Sequence, residues 1–444
     1  MALIVSVSGV RGIVGSELTP EVVLRYAAAL GTVLGGGPIA LGRDSRPSGN
    51  AFRHAAIAGL TGVGCEVRDL GIVPTPTCGF LVRELGCRGG LMITASHNPA
   101  PYNGLKLFGP DGAVHSATAG AEIQKQFASA TQGYVEWNAC GKLINEVSSS
   151  QRHWQRVLEL VDISAIRARK FSVVLDGNGG AGGPSGLAML QALGCAVVAV
   201  NCEADGIFRH EPEPTPAQLQ DVAGIVKATQ GAIGFALDPD SDRLALIDET
   251  GVCLSEELTL ALAVRERLSH DRGPVVINLS SSRVTEDIAS AAGVKCLRSA
   301  VGEANVVAKM REVGALIGGE GNGGVIDPRV GWVRDPFVGM ALILQHMVRT
   351  GQLLNQLAIA LPQYVIRKEK ISMARERLPE LFEKISQHWS NAEIDRTDGI
   401  RVAWPDRWVH LRASNTEPIV RVIAEAPRAA EAEALCEELK AVAE

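Results

Sequence analysis

Hydrophobic positions along the chain fall into three segments that share one pattern. In each segment, a short apolar run rich in β-branched residues meets a turn rich in Gly or Ser, and a helix-like stretch ending in Gly leads into a second apolar run. The segments span 58–99, 171–201 and 273–302. Short apolar strands that alternate with helical stretches predict βαβ units around sheets buried on both faces. The pattern therefore predicts three similar mixed α/β domains.

The region after residue 360 has a different pattern. Its spacing predicts an amphipathic helix over 371–389, strands over 408–413 and 419–426, and a second helix over 431–443. This order is typical of a smaller C-terminal α+β domain. With boundaries placed near 150, 252 and 360, the predicted domains are 1–150, 151–252, 253–360 and 361–444.

Composition and charge narrow the class of protein. The formal net charge is −6 and no long run of like charge occurs, which argues against nucleic acid or an anionic membrane as a partner. Nine cysteines are scattered without a Cys-x-x-Cys pair, as in a cytoplasmic protein with reduced thiols. The uncharged stretch 26–42 holds five glycines and a proline and is not a membrane span.

Three aspartates follow the apolar run IGFAL. Asp238, Asp240 and Asp242 fall within five residues, and carboxylates this close repel one another unless a cation such as Mg²⁺ or Ca²⁺ lies between them. An EF-hand is excluded because its sixth position must be Gly and is Arg243, and because the flanks are strand-like. A phosphatase in which one aspartate is the nucleophile stays open. Arg243 can reach a phosphate held by the metal.

A serine stands in the irregular string TASHNPAPYNGLKLF (94–108). Ser96 follows an apolar run, and a serine hydroxyl is a weak nucleophile that needs a base or a metal. His97 and Lys106 are the nearby candidates for proton transfer and phosphate contact.

Two further loops combine polar groups with close backbone approach. In LRASNTEP (411–418) an arginine fork, two hydroxyls and an amide suit a phosphate. The residues are Arg412, Ser414, Asn415 and Thr416. In IGGEGNGGVI (317–326) five glycines surround Glu320 and Asn322, a carboxylate and an amide that suit the hydroxyls of a sugar.

Five strings in chain order resemble the motifs of the α-D-phosphohexomutase superfamily, and the resemblance covers nearly the whole chain. They are SGVRG (8–12), TASHNP (94–99), DPDSDR (238–243), GGEGNGG (318–324) and RASNTEP (412–418). The resemblance implies four domains around a central cleft. In order, these would carry the phosphoserine, the metal, the sugar-binding loop and the phosphate-binding loop.

The resemblance also implies a mechanism. Ser96 would carry a phosphate, and Mg²⁺ would be held by that phosphoserine together with Asp238, Asp240 and Asp242. Phosphate would pass to a hexose phosphate, giving a hexose 1,6-bisphosphate that turns around and returns its other phosphate to Ser96. Charge at the transferring group would be stabilised by Arg11, Lys106 and Arg243, and either His97 or Lys106 would carry the proton. Glu320 and Asn322 would bind the sugar, and Arg412, Ser414, Asn415 and Thr416 the other phosphate.

The sugar loop departs from one common form of the family motif. Many members have Ser and His where this chain has Asn322 and Gly324, and the metal loop has Pro239 and Ser241 where glycines are common. The GEGNGG string and VGEANVV (301–307) resemble the archaeal-type phosphoglucosamine mutase and phosphomannomutase branch. This favours glucosamine phosphate as substrate, with mannose or glucose phosphate as the alternative.

Two other classes are weighed against an intramolecular phosphotransferase. One is a metal-dependent phosphatase, and the other is a non-catalytic phosphosugar-binding protein. The intact serine and aspartates argue against the second. The expected partner is a small phosphosugar, and the sequence leaves open whether the protein is a monomer or a homodimer.

Overall fold

Four sheets organise the computed structural model, which describes residues 3–6, 9–129, 131–371, 373, 375–413 and 419–443. One sheet has seven strands, two have four and the last has five. We number the domains 1 to 4 after these sheets. The prediction of three similar mixed α/β domains followed by a smaller C-terminal domain is confirmed.

Domain 1 surrounds the seven-stranded sheet, whose strand order is β1-β2-β6-β5-β3-β4-β7. Its strands are β1 (Ile4–Ser6), β2 (Gly9–Ile13), β3 (Gly37–Arg43), β4 (Cys65–Ile72), β5 (Gly89–Ile93), β6 (Tyr102–Phe108) and β7 (Leu143–Asn145). Its helices are α1 (Pro20–Leu34), α2 (Gly49–Gly62), α3 (Thr75–Glu84) and α4 (Ala117–Ala128).

Domain 2 has the strand order β11-β10-β8-β9. Its elements are α5 (Ser149–Leu158), α6 (Ile163–Arg169), β8 (Ser172–Asp176), α7 (Gly183–Ala192), β9 (Ala196–Val200), α8 (Gln220–Ala228), β10 (Ala232–Leu237) and β11 (Leu244–Ile247).

Domain 3 has the strand order β13-β12-β14-β15. Its strands are β12 (Val275–Asn278), β13 (Cys296–Ser299), β14 (Ile317–Glu320) and β15 (Gly324–Ile326). Its helices are α9 (Glu257–Arg267), α10 (Val284–Ala291), α11 (Glu303–Val313), α12 (Pro336–Thr350) and α13 (Leu354–Ile359).

Domains 1, 2 and 3 repeat one four-strand unit. In each, the first strand pairs in parallel with the second and the third, and the third pairs antiparallel with the fourth. These strands are β3 to β6, β8 to β11 and β12 to β15. One helix connects the first to the second strand and another the second to the third, as right-handed crossovers of parallel strands require. The shared hydrophobic pattern is thus a shared topology.

Domain 4 has an antiparallel sheet in the order β16-β20-β19-β18-β17. Its elements are β16 (Val365–Ile371), a short 3₁₀ helix (Arg375–Arg377), α14 (Leu378–His388), β17 (Glu393–Asp395), β18 (Ile400–Ala403), β19 (Trp408–Ala413), β20 (Val420–Ala426) and α15 (Ala429–Ala443). One sheet face packs against α14 and α15 through Val409, Leu411, Val422 and Leu435.

The predicted helix over 371–389 was wrong at its start. Ile371 ends strand β16, and α14 begins only at Leu378, with Pro379 in its first turn. Proline favours the first turn of a helix because its missing N–H has no acceptor there, so the pattern that suggested one long helix belongs to a strand, a 3₁₀ turn and a shorter helix. The expected C-cap glycines Gly64, Gly194 and Gly293 all have left-handed φ.

The prediction that the sheets are buried on both faces fails at strand β9. Ala196–Val200 lies at the edge of its sheet and is largely exposed despite its apolar sequence. An alternation of apolar and polar residues would have marked an edge strand, and this one has none. Among the described residues, no helix is long and apolar enough to span a bilayer.

Candidate active site

Three connections at the same place in the repeated unit carry the predicted chemistry. Each links the third strand to the fourth: 94–101 between β5 and β6, 238–243 between β10 and β11, and 321–323 between β14 and β15. We call them the serine loop, the metal loop and the sugar loop. Each contains a residue with left-handed φ, Ser96 at 51°, Ser241 at 54° and Gly323 at 84°. The three loops meet where the domains face one another.

The serine loop places its hydroxyl against the metal loop. The N–H of Ser96 donates to Thr94 Oγ1 at 2.8 Å, which ties the turn to the end of β5. Ser96 Oγ lies 3.4 Å from Asp238 Oδ2 and 3.3 Å from His97 Nδ1, and Ser96 is only 4% exposed. Ser96 and Asp238 are 142 positions apart in the chain, so the contact between them depends on the packing of domain 1 against domain 2.

The metal loop gathers three buried carboxylates. Single oxygens of Asp238, Asp240 and Asp242 lie within 4.8 Å of one another. The other Asp238 oxygen, Oδ1, accepts the N–H groups of Asp242 at 3.0 Å and Arg243 at 3.1 Å, which fixes the turn. Burial, reinforced by Asp242 and Asp240, raises the pKa of Asp238 well above its usual value.

Two carboxylate oxygens of this cluster have no hydrogen-bond donor among the described residues. They are Asp240 Oδ1 and Asp242 Oδ1, and both are buried. A buried, unpaired carboxylate oxygen is costly unless a cation occupies the space beside it. Hard oxygen donors in this number suit Mg²⁺, so the residues present fit a divalent cation.

Two cations from other domains balance the remaining charge. Lys106 Nζ, from β6, donates to Asp242 Oδ2 at 2.9 Å, and Arg334 Nη2 donates to the same oxygen at 2.5 Å. Burial opposes the charge on Lys106, but Asp242 and Asp240 outweigh it and raise the pKa of Lys106. Burial likewise opposes ionisation of Asp242, and Arg334 and Lys106 reverse this, lowering its pKa. Lys106 is therefore held as the ammonium ion.

His97, unlike Lys106, is held in its neutral form. Burial, and then the neighbouring Arg243 guanidinium, lower the pKa of His97 to about 3. Arg243 Nη2 donates to His97 Nδ1 at 2.9 Å, and Arg243 Nη1 donates to Glu213 at 2.9 Å. The imidazole is neutral with its lone pair on Nδ1, beside Ser96 Oγ.

A cavity of about 370 Å³ opens beside this imidazole. It is lined by the serine loop and by a connection of domain 2, namely His97, Asn98, Pro99, Glu211, Glu213, Thr215 and Gln218. Arg11 stands on β2, opposite Gly104 of β6, and its Nη1 donates to Asn98 Oδ1 at 2.6 Å. Of the predicted cations, Arg11 and Arg243 thus bind the serine loop, and Lys106 binds the metal loop.

The sugar loop is joined to the metal loop by one buried arginine. Arg334 Nη1 donates to Glu320 Oε2 at 2.9 Å while Nη2 holds Asp242. Glu320 Oε1 also accepts from Asn278 Nδ2 at 2.9 Å and from Gly302 N at 3.1 Å. The Glu320 carboxylate is therefore fixed in position.

The departure from the Ser and His form of the sugar loop has a steric reason. A Cβ atom on Gly324 would lie 2.3 Å from Arg334 Cδ, so the Arg334 stem occupies the space that a side chain there would need. Asn322 Oδ1 is buried and has no donor among the described residues, and it is an available acceptor.

In domain 4 the predicted phosphate-binding arginine pairs with an acid. Arg412 Nε lies 3.2 Å from Asp398 Oδ2, and that same oxygen accepts the N–H of Val301 in domain 3 at 3.0 Å. Ser414, Asn415 and Thr416 lie outside the described residues. Arg412 is the direct cross-strand partner of Arg421, whose other partner is Lys370. Cross-strand partners share a sheet face, so three cations line the face opposite α14 and α15.

Sequence reasoning missed several residues that hold these loops. Thr75 Oγ1, at the start of α3, donates to Asp240 Oδ2 at 2.6 Å, and Asp398 anchors Arg412. Arg334, between the two loops, was missed as well. One signal was available: the Arg-Asp pair 334–335 directly precedes a proline and an apolar helix, and such charged residues at an element boundary rarely lack a partner.

Family models match all four domains. They are the phosphoglucomutase/phosphomannomutase alpha/beta/alpha domains I (residues 3–133), II (151–251) and III (256–364) and the C-terminal domain (370–442). Together these models cover nearly the whole chain, including the serine and the aspartate cluster. The chain belongs to the phosphoglucomutase/phosphomannomutase family, as predicted.

Individual proteins of this family are similar to the chain over nearly its whole length. A probable phosphoglucosamine mutase of Methanopyrus kandleri is 37% identical, over 94% of this chain and 93% of its own. A phosphoglucomutase/phosphomannomutase of Thermococcus kodakarensis is 36% identical, over 94% and 93%. The crystal structure of a phosphoglucomutase/phosphomannomutase family protein from Burkholderia thailandensis superposes with a TM-score of 0.87 at 27% identity, covering 99% of this chain and 97% of that one.

Proposed function

We propose that this protein interconverts a hexose 6-phosphate and the corresponding hexose 1-phosphate through a phosphoserine at Ser96, with glucosamine phosphate as the substrate. One observation carries the proposal. The Ser96 hydroxyl lies 3.4 Å from a buried cluster of three aspartates in another domain, with Lys106 at 2.9 Å from one of them. A nucleophile, a cation site and a fixed ammonium then converge on one point.

The first transfer starts from the phosphorylated enzyme. The Ser96 Oγ–P bond breaks, a P–O bond forms to the free hydroxyl oxygen of the sugar phosphate, and the product is a hexose 1,6-bisphosphate. Asp238, Asp240 and Asp242, with a phosphoserine oxygen, would hold Mg²⁺, which when bound neutralises charge on the phosphoryl group. The ammonium of Lys106 and the guanidinium groups of Arg11 and Arg243 supply fixed positive charge around that group.

The proton must leave the attacking hydroxyl, and we assign this task to His97. Lys106 is already protonated and has no lone pair, whereas His97 is neutral and its Nδ1 lies 3.3 Å from Ser96 Oγ. Arg243, which donates to Nδ1, would turn that N–H to the bound phosphate and so free the lone pair. A bound phosphate dianion adds negative charge beside the ring and raises the pKa of His97 toward a value useful for proton transfer. His97 then passes this proton to the Ser96 oxygen that the phosphoryl group has left. When phosphate returns, Ser96 gives its proton to the same nitrogen, which passes it to the sugar oxygen that is released.

The second phosphate needs a site away from the serine. The row Lys370, Arg421 and Arg412 supports such a site, because like charges on neighbouring strands repel unless an anion lies between them. An anion site that recognises phosphate serves the 6-phosphate and the 1-phosphate alike. This allows the bisphosphate to bind in both orientations. Glu320 and Asn322 are placed to accept hydrogen bonds from the sugar hydroxyls between the two phosphates.

The choice of sugar rests on the relatives. A probable phosphoglucosamine mutase and a phosphoglucomutase/phosphomannomutase match almost equally well, which makes mannose or glucose phosphate the second candidate. The test is to compare kcat/KM for the 6-phosphates of glucosamine, mannose and glucose with a hexose 1,6-bisphosphate present as activator. We expect glucosamine 6-phosphate to be preferred, and a preference of more than about tenfold for mannose 6-phosphate, or 1.4 kcal/mol in transition-state binding, contradicts that choice.

The phosphoserine itself has a direct test. Intact-mass analysis of the protein after incubation with the bisphosphate should show one added phosphate, located at residue 96 by fragmentation. Inorganic phosphate should appear far more slowly than the isomerised sugar. Release of phosphate as fast as isomer forms would instead identify a metal-dependent phosphatase.

A further inference from the structure

The most heavily hydrogen-bonded buried side chain near the serine loop takes no part in the proposed chemistry. Arg46 follows strand β3 and is 1% exposed. Its Nη2 donates to Ser96 O at 2.8 Å and to Asn98 O at 2.7 Å, and its Nη1 donates to Pro99 O at 3.0 Å and to Tyr102 O at 3.2 Å. One guanidinium group therefore binds three carbonyl oxygens of the serine loop and a fourth at the first residue of β6.

Arg46 is itself held from two sides. Asp44 accepts the Arg46 Nε–H at Oδ2, 3.1 Å away, and the Arg46 backbone N–H at Oδ1, 3.0 Å away. The ring of Phe208, from domain 2, lies 4.9 Å from the guanidinium carbon. A carboxylate in the same turn and an aromatic ring from the next domain leave the guanidinium one position.

The serine loop needs this support because of its own geometry. Ser96 has a φ of 51°, a conformation that costs a non-glycine residue about 1 kcal/mol or more. The carbonyls of Ser96 and Asn98 turn toward the protein interior, where an unpaired carbonyl would be costly. Arg46 satisfies them only while the loop keeps the turn that directs Ser96 Oγ toward Asp238.

We propose that Arg46 is a positioning residue for phosphoryl transfer, which sets the direction of the Ser96 hydroxyl by binding the backbone of its loop. The proposal rests on the proposed function of Ser96 and adds to it a residue that binds the backbone of the serine loop and not the reacting hydroxyl. Lysine cannot replace it, because one ammonium lacks the planar fork that reaches four carbonyls at once.

The test compares Arg46→Lys with Arg53→Lys. Arg53 is a matched control in the same domain, since it binds the Asp69 carboxylate through two nitrogens and has no bond to the serine loop. Two readouts are measured on the full chain: hydrogen exchange of the backbone amides over 96–102, and the single-turnover rate of phosphate transfer from Ser96 to glucosamine 6-phosphate.

For Arg46→Lys we expect amide exchange over 96–102 to rise about tenfold or more, with the rest of domain 1 unchanged. The transfer rate should fall about 100-fold while KM changes less than about threefold, because misplacement of the reacting oxygen affects the transition state more than substrate binding. Arg53→Lys should leave both readouts at the wild-type level.

Wild-type exchange and transfer in Arg46→Lys would overturn the proposal, and so would a rise in exchange spread evenly over domain 1, which indicates a merely structural role. Should Arg46→Lys fail to fold, Asp44→Asn weakens the bond from Asp44 to Arg46 while keeping the guanidinium. We then expect a smaller rise in amide exchange over 96–102 and a smaller fall in the transfer rate. If the wild-type enzyme carries no phosphate on Ser96 and shows no mutase activity, the proposed function fails, and the amide exchange alone still decides the role of Arg46.

Discussion

The serine loop and the metal loop occupy the same position in two copies of one topological unit, yet they are stabilised in different ways. Both connect the third strand to the fourth and both contain a serine with left-handed φ, Ser96 and Ser241. In the metal loop, Asp238 Oδ1 accepts two backbone N–H groups of the loop itself, and donors from other elements bind its other carboxylates. In the serine loop, Thr94 Oγ1 accepts one backbone N–H from within, but the inward backbone carbonyls are bound from outside, by the guanidinium of Arg46.

This difference follows from what each loop must present. A loop that offers three carboxylates to a cation has strong acceptors to spare, and one of them can organise its own turn. A loop that offers a single neutral hydroxyl has no carboxylate to organise its turn, and its inward carbonyls need a donor from elsewhere. The shared fold therefore sets where chemistry occurs, and the loop residues decide how the backbone around it is held.

The largest expected effect on activity is the difference between replacing Ser96 and replacing Ser241. Ser96→Ala should reduce kcat by at least about 10³-fold, because the phosphate acceptor is removed, while the melting temperature stays near that of the wild type. Ser241→Ala, at the serine of the metal loop that also has left-handed φ, is the matched control and should keep activity within a few-fold. Steady-state kinetics and thermal unfolding measure both. Comparable activity of Ser96→Ala would remove the phosphoserine mechanism.

The next effect concerns the acids of the metal loop. Asp240→Asn should raise the Mg²⁺ concentration for half-maximal activity about tenfold or more, through loss of one charged ligand. Asp248→Asn is the control, since Asp248 is a buried aspartate of the same domain that only caps a turn at Thr250 and Val252. An unchanged Mg²⁺ requirement in Asp240→Asn would count against the metal assignment.

A third prediction extends the comparison to domain 4, where the predicted phosphate-binding segment connects the antiparallel strands β19 and β20. There His410 bridges domains 3 and 4 through Ser280 Oγ at 2.9 Å, and burial lowers the pKa of His410 to about 4. An unfolded histidine titrates near 6.5, so the unfolded state gains a proton first as the pH falls. The free energy of unfolding should drop by about 2 kcal/mol between pH 7 and pH 5.

The matched variant for that prediction is His410→Gln. It keeps a donor and an acceptor but cannot titrate, so chemical denaturation should show a smaller fall in stability between the same pH values. An equal pH dependence in the variant and the wild type would assign the effect to other groups.

The smallest expected effect concerns the left-handed φ of Ser241 and its contribution to the free energy of unfolding. Ser241→Gly relieves backbone strain of about 1 kcal/mol but loses the Ser241 Oγ–H bond to Asp238 O, of similar size, so the unfolding free energy should change by less than about 1 kcal/mol. Activity should stay within about twofold. A loss of more than about 2 kcal/mol would mean that the hydroxyl contributes more to the metal loop than its single bond indicates.

Much of the fold was predictable from local patterns. The repeated apolar runs and their glycine-capped helices indicated three α/β domains because strand and helix periodicities are local properties. The helix predicted over 371–389 failed because a strand with alternating charges, Val365–Ile371, precedes it without a turn signal. The partners of the residues that hold the loops were not predictable, since Arg46, Thr75 and Arg334 contact them only when distant segments meet.

The sequence by itself determined which groups are available: a serine in a turn, three clustered aspartates, a glycine-rich loop with a carboxylate, and arginines for phosphate. Only the tertiary structure decided which of them lie close together and in which charge state. Lys106 and His97 were equivalent candidates for the proton until their surroundings were known, because a pKa depends on burial and on charges contributed by other domains. The sequence determines the residue types, whereas the distances between them and their electrostatic environment arise only when domains 1, 2 and 3 pack together.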